Sequence, residues 1–430
     1  MPRRAVLEVV GGHSPQHLIT EFARAIARGE AGTVLVCGSE AISTTRAWAG
    51  KPDAPDFTEH IDGDLEDRGY GLEGLQDPVG MEHGLVDAPS QYALFENARR
   101  RRTSHSRADY AREMGELFAP FTDVAAANAY AAAPVSRGVD ELVTVTDRNR
   151  MIADPYPRFL VARDQVNQGA AVLLTSVGAA RAAGVPQASL VFLHGYADLR
   201  ERDLFDRPDL STSPASIAAA RTALDRAGIT AADLAQVDLY SCFPIAVLNI
   251  CDGLGLPHND PRGLTVTGGL PFFGGAGNNY SMHAVATMVE LLRREPGTFG
   301  FVGANGGSMS KYSTGVYSTT PAAFTDHSDA GLQAALDAVP GPPLAVAPHG
   351  PSTLETYTIK YDKPGAHGIV VGRLPDDSRF VATTVPGDGA TVELLAGEQP
   401  FGAALHVTST GRHSFVSLDP AVTRAAVDLP

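Results

Sequence analysis

Cysteine is scarce: this chain has three in 430 residues, Cys37, Cys242 and Cys251. They are scattered, so no metal-type pair and no disulfide framework is suggested. A reducing cytoplasm is the compartment expected. Long apolar runs are missing too. None approaches the ~20 residues that a membrane-spanning helix needs. The N-terminal Met1-Pro2-Arg3-Arg4 is not followed by the apolar stretch and small-residue cleavage site of a secretory signal. Excess positive charge is also absent. A net charge of −15 disfavours nonspecific nucleic-acid binding, which needs surface that neutralises phosphates.

What is present is an alternation of short apolar strands and helical patterns over roughly the first 335 residues, the signature of an α/β fold. Strands are expected at 33–37 (TVLVC), 170–174, 190–194, 236–240 and 299–303. Continuous apolar character, as in 33–37, predicts a strand covered by helices on both faces. Ser213-Pro214 reads as an N-cap with proline at the first helical position. Ile217, Ala220, Leu224 and Ala227 then repeat at helical spacing, and Gly228 sits at the stop. Ser14-Pro15 opens another helix, ending near Gly29. A third covers 281–294, with Val285, Met288, Val289 and Leu292 inward.

Residues 40–150 are rich in glycine, proline and charge, with a helical core at about 91–118. They read as an excursion from the scaffold that covers a cleft. The run Arg99-Arg100-Arg101-Arg102 reads as a solvated helix face, or less simply as a contact for an anionic ligand. The proline-glycine segment 339–343 marks a boundary. Beyond it, 356–361 alternates at strand period. Residues 368–374 and 379–385 flank a turn at 375–378, and 405–410 and 413–418 flank Gly411-Arg412. A small antiparallel β barrel of OB type is expected over 344–430. The two α/β portions are then 1–180, containing the excursion, and 181–338.

Three segments carry the chemistry. They are 239–244 (LYSCFP), 268–280 (GGLPFFGGAGNNY) and 303–318 (GANGGSMSKYSTGVYS). In order and spacing they resemble the C-terminal catalytic loops of the thiolase superfamily. With 146–171 (TDRNRMIADPYPRFLVARDQVNQGAA), the chain is most similar to the acetyl-CoA acetyltransferase-like branch near sterol-carrier-protein thiolases. Within that branch it resembles thiolase-like proteins of type 1, which carry an extra C-terminal β domain. The resemblance implies a layered α/β/α/β/α fold with duplicated halves, a cleft for acyl-CoA and a homodimer. It also implies that the chain begins just before the nucleophile helix, without the family's opening strands: either the start is set too far downstream, or the chain is shortened, which would leave a strand edge exposed.

The same resemblance locates the catalytic positions, and almost every one is substituted. The nucleophilic cysteine, held at a helix N-terminus where the dipole lowers its pKa, falls at Gly12, within Gly11-Gly12-His13-Ser14. Ser14 could serve as a hydroxyl nucleophile with His13 as base, or simply cap the helix. The oxyanion-positioning asparagine or histidine becomes Tyr240, followed by Ser241 and Cys242. Cys242 reads either as a thiol nucleophile or as a small structural residue. The activating histidine falls at Gly275; there Gly274, Gly275, Gly277, Asn278 and Asn279 could offer backbone and side-chain donors to an oxyanion. His283, a turn later, reads as a packing residue. The second cysteine falls at Ala304, followed by Asn305, Gly306 and Gly307, with Lys311 and Tyr312 as the nearest acid–base or anion-binding groups.

Covalent thiolase chemistry is therefore not expected. The expectation is an acyl-CoA-binding protein of the acetyl-CoA acetyltransferase class in lipid metabolism, with acyl-CoA or CoA as ligand and no tightly bound cofactor or metal. The alternatives are a retro-aldol lyase on β-hydroxyacyl-CoA using Tyr240 and Tyr312, or a non-catalytic scaffold subunit. An OB-fold or acyl-CoA-processing protein is the partner the resemblance suggests.

Overall fold

The structure, a computed structural model, describes residues 4–58, 63–71, 77–362 and 365–426. Residues 1–3 of the basic N-terminus lie outside that set. At its centre is a four-stranded mixed sheet in the order Phe192–Arg200, Lys311–Ser318, Phe299–Gly306, Leu234–Leu239. Every residue of Lys311–Ser318 is buried, because both faces of the sheet are covered. Phe301 and Val316 pack with Ala219, Ala220 and Ala223 of helix Pro214–Ala227. Val302 and Tyr317 pack with Ile19 of helix Ser14–Ala27 and with Met282, Val285 and Met288 of helix Tyr280–Arg294.

Helix Pro214–Ala227 starts and stops where its sequence signals lie. Pro214 sits in the first turn, and Gly228 ends the helix in the left-handed region at φ 70°. Its cap differs from the expected one. The Ser213 side chain does not cap the helix; it bonds to Glu201, whose carboxylate accepts from Ala215 N–H at 2.7 Å. A carboxylate from the neighbouring segment therefore satisfies that free donor.

The other α/β portion is thinner. Thr33–Ala41 pairs antiparallel with Asn167–Thr175 alone, among the described residues. The inner face, with Val34, Val36 and Val172, packs on the helix layer. The outer face is open: Leu35 is 62% exposed and Leu173, its register partner, 67%. This corrects the expectation of cover on both faces. The apolar run asks for a second layer, but the described chain supplies only one.

The excursion is built on helices Ala88–Thr103 and Arg107–Ala127. Its arginine run also departs from expectation. Arg99 and Arg100 are buried. Arg99 pairs with Glu113 and Asp252, while Arg100 donates to the Glu398 carbonyl and lies 4.7 Å from the Phe401 ring centroid. Arg99 and Arg100 join helix, core and barrel instead of facing solvent, while Arg101 and Arg102 are exposed, as the solvated-face reading expects.

In the C-terminal domain, His349–Asp362, Gly365–Arg373, Arg379–Thr384, Ser414–Ser417 and Ala404–Ser409 pair in that order and close back on the first. Only Arg379–Thr384 and Ser414–Ser417 run parallel, and helix Gly389–Ala396 lies between the third and fourth strands in sequence. This is the expected OB-type barrel, with its own core of Leu354, Ile359, Val370, Phe380, Leu395 and Val416. Met151–Ala153 and Tyr156–Pro157 extend its sheet. Fully buried Arg379 locks barrel to core, bonding Glu355 as well as the carbonyls of Phe205 and Arg207.

Candidate functional site

Strand register brings the catalytic-loop segments to one end of the central sheet. Leu239 and Gly303 are partners in the parallel pair, and Tyr240 N–H continues the ladder to the Gly303 carbonyl at 3.1 Å. The start of helix Ser14–Ala27 lies across this end. Gly11 N–H donates to Asn278 Oδ1 at 2.8 Å, and Ser281 Oγ donates to the Gly12 carbonyl at 2.6 Å. The nucleophile-helix loop, the Tyr-Ser-Cys-Phe segment and the glycine loop thus converge where the resemblance puts a thiolase site.

The space for a nucleophile is filled. A Cβ built on Gly12 would overlap the hydroxyl and ring of Tyr240. Tyr240 is nearly buried and packs edge-to-face on Tyr280, with centroids 5.4 Å apart. Its hydroxyl has no hydrogen-bond partner among the described residues. Burial pushes its pKa well above the usual tyrosine value, so it is a neutral donor and not a base. Beneath it, Tyr280 bonds Thr267 and Asp238. Burial lifts the Asp238 carboxyl to about 6.

His13 and Ser14 do not form a dyad. Ser14 Oγ donates to the Val9 carbonyl at 2.8 Å. The cap reading of Ser14 also changes: His13 is the N-cap residue and Ser14 the first residue of the helix, and no side chain caps it. His13 Nδ1 is buried without a partner. Burial, with His17, Lys311 and Arg200 nearby, lowers its pKa to about 3, so the ring stays neutral.

Cys242 sits in a packed polar network. Its Sγ lies 3.8 Å from Asn305 Nδ2, which donates to Tyr92 Oη at 2.8 Å; that hydroxyl in turn donates to the Gly307 carbonyl. Burial raises the thiol to about 12, which removes its thiolate at neutral pH and with it the nucleophile. Ser241 Oγ accepts from Leu270 N–H at 3.2 Å and so anchors the glycine loop. Tyr92, which ties these loops together, was not singled out from the sequence. Its helix is buried on every side from Ser90 to Arg100, so no periodic stripe in the sequence singles Tyr92 out or says which loop it meets.

The glycine loop bonds mostly to the protein itself. Gly275 N–H donates to the Arg163 carbonyl at 2.7 Å, Gly277 N–H to Gly275 and Asn279 N–H to Ala276. Asn279 Nδ2 donates to the Gly38 carbonyl. Gly274, at φ 133°, lies against Gln168, and a Cβ on Gly277 would overlap Glu40. Most of the donors proposed for an oxyanion are already engaged. His283 Nε2 is buried without a partner, and burial lowers its pKa to about 4.

Strand pleat separates the remaining candidates. Ala304, Gly306 and Ser313 face helix Ser14–Ala27; a Cβ on Gly306 would meet His13 Nδ1. Gly303, Asn305 and Tyr312 face the opposite layer. The Tyr312 hydroxyl is buried against Gly303 without a partner, and burial raises its pKa. Tyr240 and Tyr312 are therefore not aimed into one opening. Lys311 is buried, and its Nζ donates to the Gly71 carbonyl at 3.1 Å. A cavity of about 450 Å³ beside these strands is lined by His13, His17, Asp198, Lys311 and Ser313. Near it, Glu8, His17 and Glu21 place ligand-type atoms within 4.8 Å of one another. The Arg68 guanidinium already pairs with both glutamates, so the cluster is an ion-pair network that does not suit a cation. No helix among the described residues is long and apolar enough to cross a membrane.

A family model described as the thiolase-like protein type 1 additional C-terminal domain matches residues 331–412. No curated protein matches the chain. A monomeric SCP2-thiolase-like protein type 1 from Mycobacterium smegmatis, solved by crystallography, is 49% identical. The match covers 97% of this chain and 85% of that one, with a TM-score of 0.87. A structure described as an Ltp2-ChsH2(DUF35) aldolase is 17% identical over 72% of this chain and 78% of that chain, at a TM-score of 0.54; this likeness is one of fold alone. With near-complete coverage at close to half identity, the chain belongs to the SCP2-thiolase-like protein type 1 family.

Proposed function

We propose that this protein binds acyl-CoA thioesters in the cleft of its thiolase fold, within lipid and acyl-CoA metabolism, and forms no covalent acyl-enzyme. One observation carries the reading. The Tyr240 ring and hydroxyl occupy the space into which a side chain at Gly12 would project. A covalent route needs a nucleophile at that helix start, together with a base. Here the hydroxyl that opens the helix, Ser14, is bonded to Val9, the Ser281 hydroxyl is bonded to the Gly12 carbonyl, and the adjacent imidazole, His13, has no partner. What remains is a site at the convergence of the catalytic loops where the Tyr240 hydroxyl is uncommitted and suited to a thioester carbonyl.

The test is calorimetric titration with acetyl-CoA, a long-chain enoyl-CoA and free CoA, followed by product analysis and intact-mass measurement. Binding with no acyl adduct and no acyl exchange is the expected outcome. A stable adduct on the Ser14 peptide, lost in Ser14→Ala, would overturn it. A second reading, retro-aldol cleavage of β-hydroxyacyl-CoA, draws on the same free hydroxyl, now as the proton donor. It predicts carbon–carbon cleavage that Tyr240→Phe abolishes while thioester affinity stays nearly unchanged. The resemblance implies a homodimer, whereas the Mycobacterium smegmatis relative is described as monomeric; sedimentation of this chain decides between the two.

A further inference from the structure

The chain is acidic, with a net charge of −15, yet one cleft beside the candidate site gathers positive charge. It measures about 220 Å³ and is lined by Arg137, Arg158 and Arg163, with Asp164 as its one carboxylate. Phe159 and Phe272 supply apolar walls. Arg137 pairs with Glu141 and lies 4.3 Å from the Phe159 ring centroid. Asp164 is turned towards Arg46 at 3.4 Å. Among the described residues no carboxylate forms an ion pair with Arg158 or Arg163, and Arg163 Nε is buried with no hydrogen-bond partner.

The backbone here is fixed even though the guanidinium of Arg163 is not. Arg163 N–H donates to the Leu270 carbonyl at 3.1 Å, its carbonyl accepts from Gly275, and Ala162 N–H donates to the Cys242 carbonyl at 3.1 Å. The segment is bolted to two of the catalytic loops and presents its side chain to the cleft. Arg158 and Arg163 carry charges with no paired carboxylate, Arg137 shares its charge with Glu141, and burial with Arg158 and Arg137 nearby holds Arg163 below its usual value. An anion entering the cleft would relieve the like-charge repulsion and supply the missing partner. Planar, multiply donating guanidinium groups match the oxygens of a phosphoryl group better than a compact ammonium would.

We propose that Arg137, Arg158 and Arg163 form a phosphoryl-anion subsite that holds the phosphate end of the thioester carrier, beside the glycine loop. This rests on the acyl-CoA reading above, and the experiment separates the two. Calorimetry would compare CoA, acetyl-pantetheine (the same thioester arm without phosphates) and inorganic pyrophosphate, on wild type, Arg158→Gln, Arg163→Gln, Arg163→Lys and the double glutamine variant. Arg158 is exposed, so its single variant keeps the fold intact, and each Tm is checked. The double variant should weaken CoA and pyrophosphate binding by at least about tenfold and leave acetyl-pantetheine unchanged. Arg163→Lys should recover part of the loss, and added salt should weaken CoA more in wild type than in the variant. Equal CoA affinity in wild type and double variant would overturn the subsite and leave the acyl-CoA reading standing. Pyrophosphate binding lost in the variant, with no CoA binding in wild type, would sink the acyl-CoA reading and keep an anion site. No binding of any probe to wild type would overturn both.

Discussion

The strands of the central four-stranded sheet and of the two-stranded ribbon meet opposite fates. Lys311–Ser318 is buried along its whole length. Thr33–Ala41 alternates between packed and open positions, with Leu35 and Leu173 side by side in solvent. Apolar content sets how much a strand gains from being covered; the number of layers the chain supplies sets how much it is covered. If that account holds, large stability effects concentrate in the sheet, intermediate ones where the helix layer meets the catalytic loops, and the smallest on the ribbon's outer face.

Phe301→Ala tests the covered side. The ring is fully buried between sheet and helix, so truncation should cost about 3–5 kcal/mol, read as a shift in the denaturation midpoint with the slope unchanged. Gly12→Ala comes next. Gly12 has no left-handed backbone requirement, so the cost comes from collision with Tyr240, roughly 1–3 kcal/mol as overpacking. In a Tyr240→Ala background the same change should cost far less. A double-mutant cycle with coupling near zero would show that Tyr240 does not occupy the nucleophile's space.

pH separates the two sides by sign. Burial in the covered core raises Glu96 to about 7 from an ordinary 4.5, despite bonds from Tyr110, Tyr156 and Ile245. Its stabilising contribution is complete below the unfolded value and is lost as pH rises through about 7. His13, at the head of the helix that carries the ribbon, runs the other way. Its value falls from 6.5 to about 3, so the unfolded chain binds the extra proton and stability is lost as pH falls below about 6.5. In a Tm series from pH 4 to 8, Glu96→Gln should flatten the decline as pH rises from about 4.5 to about 7, and His13→Gln the decline as pH falls below about 6.5. Unchanged slopes would mean that neither group titrates differently on folding.

Much of this was legible in the sequence, and the failures share a cause. The order and spacing of residues 239–244, 268–280 and 303–318 named loops that converge at one end of the central sheet, because glycine positions and strand ends are properties of the local chain. The barrel's hairpins were readable for the same reason. Strand period gives faces, but not what packs on them. Hence Tyr312 could be named but not assigned to the side away from Ser313, and Leu35 was expected to be covered. The Arg99–Arg100 pair was read as solvated because its partners Asp252 and Glu398 lie far along the chain. Ser14 was read as a cap because the competing acceptor, the Val9 carbonyl, is supplied by a loop that periodicity does not describe.

The ribbon yields the smallest effect, and the one most specific to the contrast. Leu35 is 62% exposed and pairs across the strands with the equally open Leu173. A charge placed there removes little buried surface, so Leu35→Asp should change the unfolding free energy of the monomer by no more than about 0.5 kcal/mol. The same substitution at Val36, one residue on and packed against the helix layer, would bury an unpaired carboxylate and should be strongly destabilising. One-residue spacing thus becomes a switch between two regimes, as a half-covered strand requires. If Leu35→Asp instead lowered Tm as much as Val36→Asp does, the outer face would have to be covered in solution, and the ribbon would be as fully layered as the central sheet.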